Sequence, residues 1–469
     1  MNYFRKNRAF FSGILAIGIP IAMQNLLTTA VSVVDTFMVS SQGQTVLASV
    51  GLCSQFSSLY FSFYWGFASA GTLFFAQYWG NRDRDGISHA YGITVAFMAI
   101  VAVVFTSLGL FAPELVLRIY TDKPDIQAAG VPYLRILALS FPGQAMAIAL
   151  SCLMRSTENV RVPLIGSVVS MVINTSLNYV LIFGKFGAPA MGVQGAAIAS
   201  VIAMYANVAV LYLFSFRDKD SLATRFREHM KWPRGMVREY LGRAAPMLAN
   251  ELFYGTGQLL ITVILGRQNE AGVAAIAVFR VIEGMIFSFF VGLSNASSVM
   301  VGKEIGAGNV ETGYDYAKRF AWICPLITLF ICLVILPISP LIVRGFDMSD
   351  AARNYVVTML AIYCIGGPLR TCNYIMNNTY RAGGEPRFGA VFEIGSLFLI
   401  SVPLVYLSGM VWQLPFLLVF ASMYVEEALK LGIGVRHLLS AHWIRPVTEE
   451  GRIALATFMQ KRGKAAKHA

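Results

Sequence analysis

Twelve stretches of this chain are long and apolar enough to require a bilayer as solvent. A helix crossing about 30 Å of hydrocarbon takes about 20 predominantly apolar residues. Breaks at charged clusters and at Gly and Pro place spans at 12–39, 46–78, 90–112, 128–153, 161–183 and 192–215, then at 239–265, 272–302, 316–343, 354–379, 387–408 and 415–439. Several are longer than the hydrocarbon requires, which predicts tilt or extension past it. The runs are continuous rather than alternating, against a transmembrane barrel. Composition agrees. Of 469 residues, 56% are apolar and 13% charged, and the mean hydropathy is +0.61. A soluble globular chain carries about 25% charged residues. The charge here cannot cover the surfaces of the soluble domains that such a length would form. Soluble enzymes, nucleic-acid binders and secreted scaffolds are excluded.

The net charge of +12 is a matter of topology. Alternate loops and both termini carry 26 Lys and Arg, the other loops carry six, and five lie within spans. That bias predicts cytoplasmic termini. Arg5, Lys6 and Arg8 ahead of an apolar run resemble the start of a signal peptide. However, the run continues to about Val39, contains Pro20 and Asp35, and lacks a small-residue cleavage site. It reads as a retained first span. The tail beyond Arg445 reads either as an amphipathic helix on the inner leaflet or as a frayed basic end.

The two halves repeat. Pro20 and Pro246, Gly66 and Gly292, Gly80 and Gly306, Pro142 and Pro368, Arg155 and Arg381, and Arg161 and Arg387 all differ by 226 positions. Six spans per copy make both copies enter the membrane in the same direction. The halves are then related by an axis along the membrane normal, as in transporters that work by alternating access. The predicted fold is an all-α polytopic membrane protein of twelve transmembrane helices, in two six-helix pseudo-symmetric bundles around a central cleft. Its parts are an N-lobe at 1–215, a cytoplasmic linker at 216–238, a C-lobe at 239–440 and a cytoplasmic basic tail at 441–469.

Few residues carry chemistry. No Gly-Lys pair has the glycine spacing of a phosphate-binding loop. His89, His229, His437, His442 and His468 sit at or beyond span ends without metal-ligand spacing. Cys53, Cys152, Cys324, Cys332, Cys364 and Cys372 form neither a disulfide framework nor a zinc set, and read as small packing residues. No enzyme, catalytic residue, metal or cofactor is expected.

An acid inside the bilayer is costly and therefore a functional hypothesis. Asp35 lies deep in the first span, beyond the kink that Pro20 permits. Asn174 and Asn178, at i and i+4, share one face of the fifth span. They can offer oxygen to a cation, bond Asp35, or serve as interhelical glue. Glu251 on the seventh span reads as a second protonation site, as a counter-charge for a cationic substrate, or as a carboxylate snorkelling to the interface. These four are the candidate coupling residues. Gln24, Tyr254, Gln258, Asn373, Tyr374 and Asn377 are the candidate lining of the substrate cleft.

Glu283, Glu393, Glu426 and Glu427 read as mostly structural, the first beside Arg280 and the last two beside Lys430. Arg155 and Arg381 read as caps on helix carbonyls. The aromatic run Phe56, Tyr60, Phe61, Phe63, Tyr64, Trp65 is packing, or a wall for a lipophilic cation.

Several segments together resemble one family. They are Gly18-Ile-Pro20 with Gln24 and Val34-Asp35-Thr36-Phe37-Met38-Val39; Arg155-Ser-Thr-Glu-Asn-Val-Arg-Val-Pro163; Gly192-Val-Gln-Gly195-Ala-Ala-Ile-Ala199; Gly302-Lys-Glu-Ile-Gly306-Ala-Gly-Asn309; and Arg381-Ala-Gly-Gly384. They are similar to signatures of the multidrug and toxic compound extrusion (MATE) family, and the likeness runs from about 13 to 440. The resemblance implies an antiporter of the bacterial inner membrane that exports organic cations in exchange for H⁺ or Na⁺, and nothing in the sequence requires more than a monomer. It implies a coupling role for Asp35, matches Asn174 to a cation-site Asn, and likens Glu251 to a seventh-span Glu. Asn178 departs from the Asp of many members. One negative charge is missing there, which favours H⁺ over Na⁺. Ile261 takes the place of Asp35 in the second half.

A flippase for lipid-linked oligosaccharides, of the same superfamily, is the alternative. Its anionic cargo calls for basic residues in the cleft, and Arg135, Arg243 and Arg370 keep it open. An intramembrane prenyl-group transferase is more remote, since Asn81-Arg-Asp83-Arg-Asp85 is the one faint acidic motif and has no partner.

Overall fold

The computed structural model describes residues 8–217, 221–344, 346 and 348–465. Arg5, Lys6, His468 and the middle of the linker, 218–220, lie outside the described residues. The described chain is helical. In order, α1 is Arg8–Gly13 and Ile19–Ser40 joined by a π turn, α2 Gln44–Gly80, α3 Arg84–Phe111, α4 Pro113–Tyr120, α5 Pro124–Ala138, α6 Ser140–Ser156, α7 Arg161–Phe183 and α8 Gly192–Arg217. A short helix α9, Phe226–His229, leads to α10 Arg234–Gly266, α11 Glu270–Gly306, α12 Val310–Arg344, α13 Asp350–Gly383 and α14 Pro386–Val411. Last come α15 Phe416–Ser422, α16 Val425–Ser440 and α17 Glu449–Ala465.

Ten of these are long and apolar enough to span a membrane, and α5 with α6 make an eleventh. The twelfth expected span is broken into α15 and α16 at Met423–Tyr424, and Glu426, Glu427 and Lys430 dilute its hydropathy. The outer face of α12 shows what surrounds the fold. Trp322, Leu326 and Phe330 follow each other at i, i+4 and i+8 and are 72%, 62% and 68% exposed, while Phe320, Cys324 and Thr328 are buried. An apolar stripe facing outward is stable only against lipid.

Helix ends follow local chemistry. α3 begins at Arg84, not near 90, because the Asp83 carboxylate accepts the Gly86 amide at 2.8 Å as an N-cap. Asp85 next to it pairs with Arg225 at 2.6 Å. Both acids of the Asn81–Asp85 motif are therefore used locally. α7 stops at Gly184, whose φ of +65° closes the helix.

The fourth span, predicted as one helix, is bent by 43° between α5 and α6. Pro142 lacks an amide, so the carbonyl of Ala138 loses its helical donor. Thr106 Oγ1 donates to that carbonyl at 3.2 Å, Tyr205 Oη to Leu139 O at 3.0 Å, and Tyr60 Oη to Phe141 O at 2.6 Å. Three side chains from other helices thus take over the opened turn. Pro368, the repeat counterpart, stays inside the unbroken α13. The π turns of Ile14–Gly18 and Leu397–Ser401 each end two residues before a proline, Pro20 and Pro403, and make room for the ring.

The helices cluster into two compact units. An N-terminal unit comprises Met23–Phe75 and Asp83–Ala244; a C-terminal unit comprises the residues up to Ala22, then Ala76–Arg82, and Ala245 onward. In the N-terminal unit the linker folds back on α3. Arg225 bonds Asp85, Ser88 and the Arg84 carbonyl. Burial there holds the His229 imidazole below its ordinary range. Phe56, Tyr60 and Tyr64 turn inward, and the first two stack near Phe105 and Phe141, so half of the aromatic run is core and not a cation wall.

In the C-terminal unit Gln77 is fully buried. Its Nε2 donates to Ala382 O and its Oε1 accepts from Val447 N, both at 2.8 Å. Thr448 Oγ1 donates to Gly306 O, so the tail is anchored before it continues as α17. The repeat glycines Gly80 and Gly306 are needed for close approach. A Cβ on Gly306 would strike the backbone of Gln77, and one on Gly80 the carbonyl of Lys303. Gly306→Ala is therefore expected to cost about 1–3 kcal/mol through backbone displacement. Gly51→Ala, where a Cβ meets nothing within 4 Å, is the control and leaves stability unchanged or raised. Thermal unfolding of the two variants in detergent checks the difference.

Candidate functional site

The N-terminal unit assembles a polar chain from three helices. Asn178 Nδ2 donates to Asp35 Oδ1 at 2.5 Å and to Asn174 Oδ1 at 3.2 Å, and Asn174 Nδ2 donates to Ser200 Oγ at 3.3 Å. Asn174 and Asn178 are buried, and Asp35 on α1 is half-buried. The register explains the meeting. Gln24 bonds Ser167 at 2.9 Å, and both this pair and Asp35–Asn178 are separated by 143 positions. Two contacts of one separation, three helical turns apart, require α1 and α7 to run parallel with fixed faces. Asn178 Oδ1 is buried without a hydrogen-bond partner, an acceptor beside a carboxylate. An Asp with a neighbouring free amide oxygen can exchange a proton or hold a small cation.

Arg155 is buried in the same unit. Its Nη2 donates to Gln24 Oε1 at 2.6 Å, and its Nε has no partner. It was expected to cap helix carbonyls; instead its guanidinium reaches across to α1. The amide of Gln24 is thus used at both ends, by Ser167 and by Arg155.

The C-terminal unit repeats this pattern with charges. Arg381 Nη1 donates to Glu251 Oε1 at 2.9 Å, so Arg381 is an ion-pair partner and not a carbonyl cap, and Glu251 is neutralised and not snorkelling. Asn250 Nδ2 donates to Glu393 Oε2 at 3.0 Å, again 143 positions away, the counterpart of Gln24 to Ser167. Asn377 Nδ2 donates to the same oxygen. Asn373 Nδ2 donates to Glu427 Oε2 at 2.8 Å. Lys430 bonds Glu426 at 2.8 Å and Glu427 at 3.3 Å. Glu283 joins Arg280 at 2.9 Å, as the spacing predicted, and also Arg370 at 2.6 Å. Arg370 in turn donates to Tyr254 Oη at 3.0 Å.

Tyr254, Asn373, Tyr374, Asn377, Glu393 and Glu427 line one cavity of about 40 Å³ together with Arg370 and Lys430, room for a few waters. Gln258 is apart from that lining, on α10 one turn beyond Tyr254. Ser167, Ser200 and Asn250 are participants that composition does not single out. The 226-residue offset was the available signal for two of them, since it maps Gln24 to Asn250 and Ser167 to Glu393.

Removing one member of a buried ion pair costs about 3–5 kcal/mol, because the other charge is left alone. Glu251→Leu is expected to lose that much. The double variant Glu251→Leu with Arg381→Leu recovers most of it, as thermal unfolding in detergent would report.

The family model MatE matches residues 20–180 and again 246–407. The two matches begin 226 positions apart, the offset of the repeat. A "probable multidrug resistance protein NorM" of Thermotoga maritima is 23% identical over 436 residues, covering 92% of each chain. A "probable multidrug resistance protein YoeA" of Bacillus subtilis is 24% identical over 395 residues, covering 83% of this chain and 84% of its own. Among solved structures, a MATE protein in complex with MaL6 superposes with a TM-score of 0.82 at 18% identity, over 92% of this chain and 96% of that one. The helical units, their parallel polar pairs and a family match that covers both repeats make this multi-pass membrane protein a member of the MatE family of transporters.

Proposed function

We propose that this transporter is a secondary antiporter of the bacterial inner membrane. It exports lipophilic or cationic organic compounds in exchange for H⁺, with Na⁺ as the alternative ion, by alternating access. The observation that carries this is the chain Asp35–Asn178–Asn174–Ser200. A carboxylate on the first span, next to a spare amide oxygen, is a place where one positive charge enters and leaves. One charge moved through 100 mV supplies about 2.3 kcal/mol, roughly a fifty-fold gradient of neutral cargo. One acid per cycle is sufficient. Asn178 contributes no charge, so Asp35 alone compensates the ion, which suits a proton better than Na⁺.

Tyr254, Asn373, Tyr374 and Asn377 offer amide oxygens and ring faces to cargo in the C-terminal unit, from a cavity that in this structure holds only a few waters and that Arg370 and Lys430 also line. Glu251 takes part through its pair with Arg381, and Gln24 and Gln258 are cargo contacts, each in its own unit. The relatives named as multidrug resistance proteins support small organic cargo. The chain works as a monomer with cytoplasmic termini, with lipid around it and without a cofactor, nucleic acid or covalent step.

The charge pattern argues against an anionic lipid-linked cargo. Arg135 pairs with Glu114 at 2.8 Å, Arg243 with Glu239 at 2.8 Å and Arg370 with Glu283 at 2.6 Å. Each arginine that favoured that reading lies against an acid, Glu283 being shared by Arg370 and Arg280.

Ethidium efflux from proteoliposomes, driven separately by a proton and a Na⁺ gradient, is the test. Wild type is expected to respond to the proton gradient, and Asp35→Asn to lose the response. Efflux driven by Na⁺ alone and abolished in Glu251→Gln would move coupling to the C-terminal unit. No efflux under either gradient would remove the drug-export reading.

A further inference from the structure

On the apolar stretches of α10, α11, α13, α14 and α16 in the C-terminal unit stand five acids and four bases. The acids are Glu251, Glu283, Glu393, Glu426 and Glu427; the bases are Arg280, Arg370, Arg381 and Lys430. Arg381 is taken by Glu251, Arg280 and Arg370 by Glu283, and Lys430 by Glu426 and Glu427. Glu393 is the one carboxylate of the five without an ion-pair partner. With all nine ionised, the cluster is one positive charge short, and a charge in such surroundings is costly unless matched.

Geometry shows where the missing charge fits. Glu393 on α14 lines the cavity. Its Oε2 accepts hydrogen bonds from Asn250 on α10 and Asn377 on α13. Asn250 is only 3% exposed, and the Oδ1 atoms of both Asn250 and Asn377 are buried with no partner. A carboxylate flanked by two unused amide oxygens is half of a binding site. Ionised, Glu393 satisfies the two Nδ2 groups and leaves both Oδ1 atoms idle. Protonated, it has an O–H to donate to one of them after that amide turns. A small cation instead would draw on the carboxylate and both Oδ1 atoms together.

The groups facing this point from the packed helices are accounted for. Lys430 and Glu427 approach on α16, Arg381, Arg370, Tyr374 and Tyr380 on α13, and Glu251 and Tyr254 on α10. Lys430 and Arg381 are close enough to act on Glu393 electrostatically, but their ion pairs are made with Glu426, Glu427 and Glu251.

We propose that Glu393, flanked by Asn250 and Asn377, is the site in the C-terminal unit that takes up a single monovalent positive charge, H⁺ or Na⁺, while Glu251 stays locked to Arg381. The inference rests on the antiport reading for its purpose, but not for its test.

The direct test is infrared difference spectroscopy of the purified full chain in lipid nanodiscs, titrated with acid and, separately, with NaCl at high pH. Glu393→Gln keeps the shape and both amide contacts. On an Asp35→Asn background, which removes the carboxyl of the N-terminal chain, acidification is expected to raise a protonated-carboxyl band, and Glu393→Gln on the same background to lose it. Glu251→Gln with Arg381→Gln, which removes a neutral pair, keeps it. If Na⁺ is the ion, NaCl at high pH shifts the carboxylate bands of the Asp35→Asn protein and has no effect once Glu393→Gln is added. Spectra of Glu393→Gln that match this Asp35→Asn parent in both titrations would overturn the proposal. So would a band lost only in the Glu251 and Arg381 double variant. Ethidium efflux of wild type, run in parallel, separates the two readings. A protein that moves no dye but shows the Glu393 band refutes antiport and keeps the site; one that exports dye through Asp35 with no Glu393 signal does the reverse.

Discussion

Hydrocarbon provides no hydrogen bonds, and every feature of this protein is arranged around that fact. A helix satisfies its own backbone, so the chain is helix almost throughout. Where a proline opens the ladder, the lost partner must be replaced from inside the protein. At Pro142 the Thr106 hydroxyl donates to the orphaned carbonyl of Ala138, and the Tyr205 and Tyr60 hydroxyls add bonds to the carbonyls of Leu139 and Phe141 beside it. The bend there is stable because three other helices bring donors to it. Pro368 also lacks an amide, yet α13 continues through it. Equal positions in the repeat thus have different consequences, set by the neighbours.

The same cost governs the charges. Each unit brings an arginine near the end of its fourth helical span toward its own first span. In one unit it meets the neutral Gln24, in the other the acid Glu251. Each unit also bonds its first span to its fifth across 143 positions, Gln24 to Ser167 and Asn250 to Glu393. Duplication kept the scaffold of contacts, while substitution changed which contacts are charged. The N-terminal unit has a sparse chain around Asp35. The C-terminal unit has a dense network of ion pairs in which Glu393 has none.

The spans were legible because length and hydropathy report on the bilayer and not on neighbours. Arg161–Phe183 falls on the predicted residues, and most ends lie within a few positions. The deviations are local. α3 starts early because of the Asp83 cap, the fourth span bends at a proline, and the twelfth breaks next to three charges. The cluster of Asp35 with Asn174 and Asn178 was also legible, since i, i+4 spacing puts both amides on one face and a buried acid needs a donor. Ser200 was not, because a serine on an apolar helix looks the same whether or not it meets an amide. Glu393 was read as structural because its partners lie 143 and 16 residues away, on helices whose facing could not be told from hydropathy.

The sequence by itself determined the solvent, the approximate placement of the spans, the repeat and the identity of the acids. Those follow from the free energy of moving each residue into lipid, which hardly depends on tertiary neighbours. The tertiary structure decided which acids are matched. An ion pair forms only within about 4 Å, and whether Arg381 reaches Glu251 or Glu393 depends on helix rotation and register. That choice neutralises Glu251 and leaves Glu393 with two amides and a cavity.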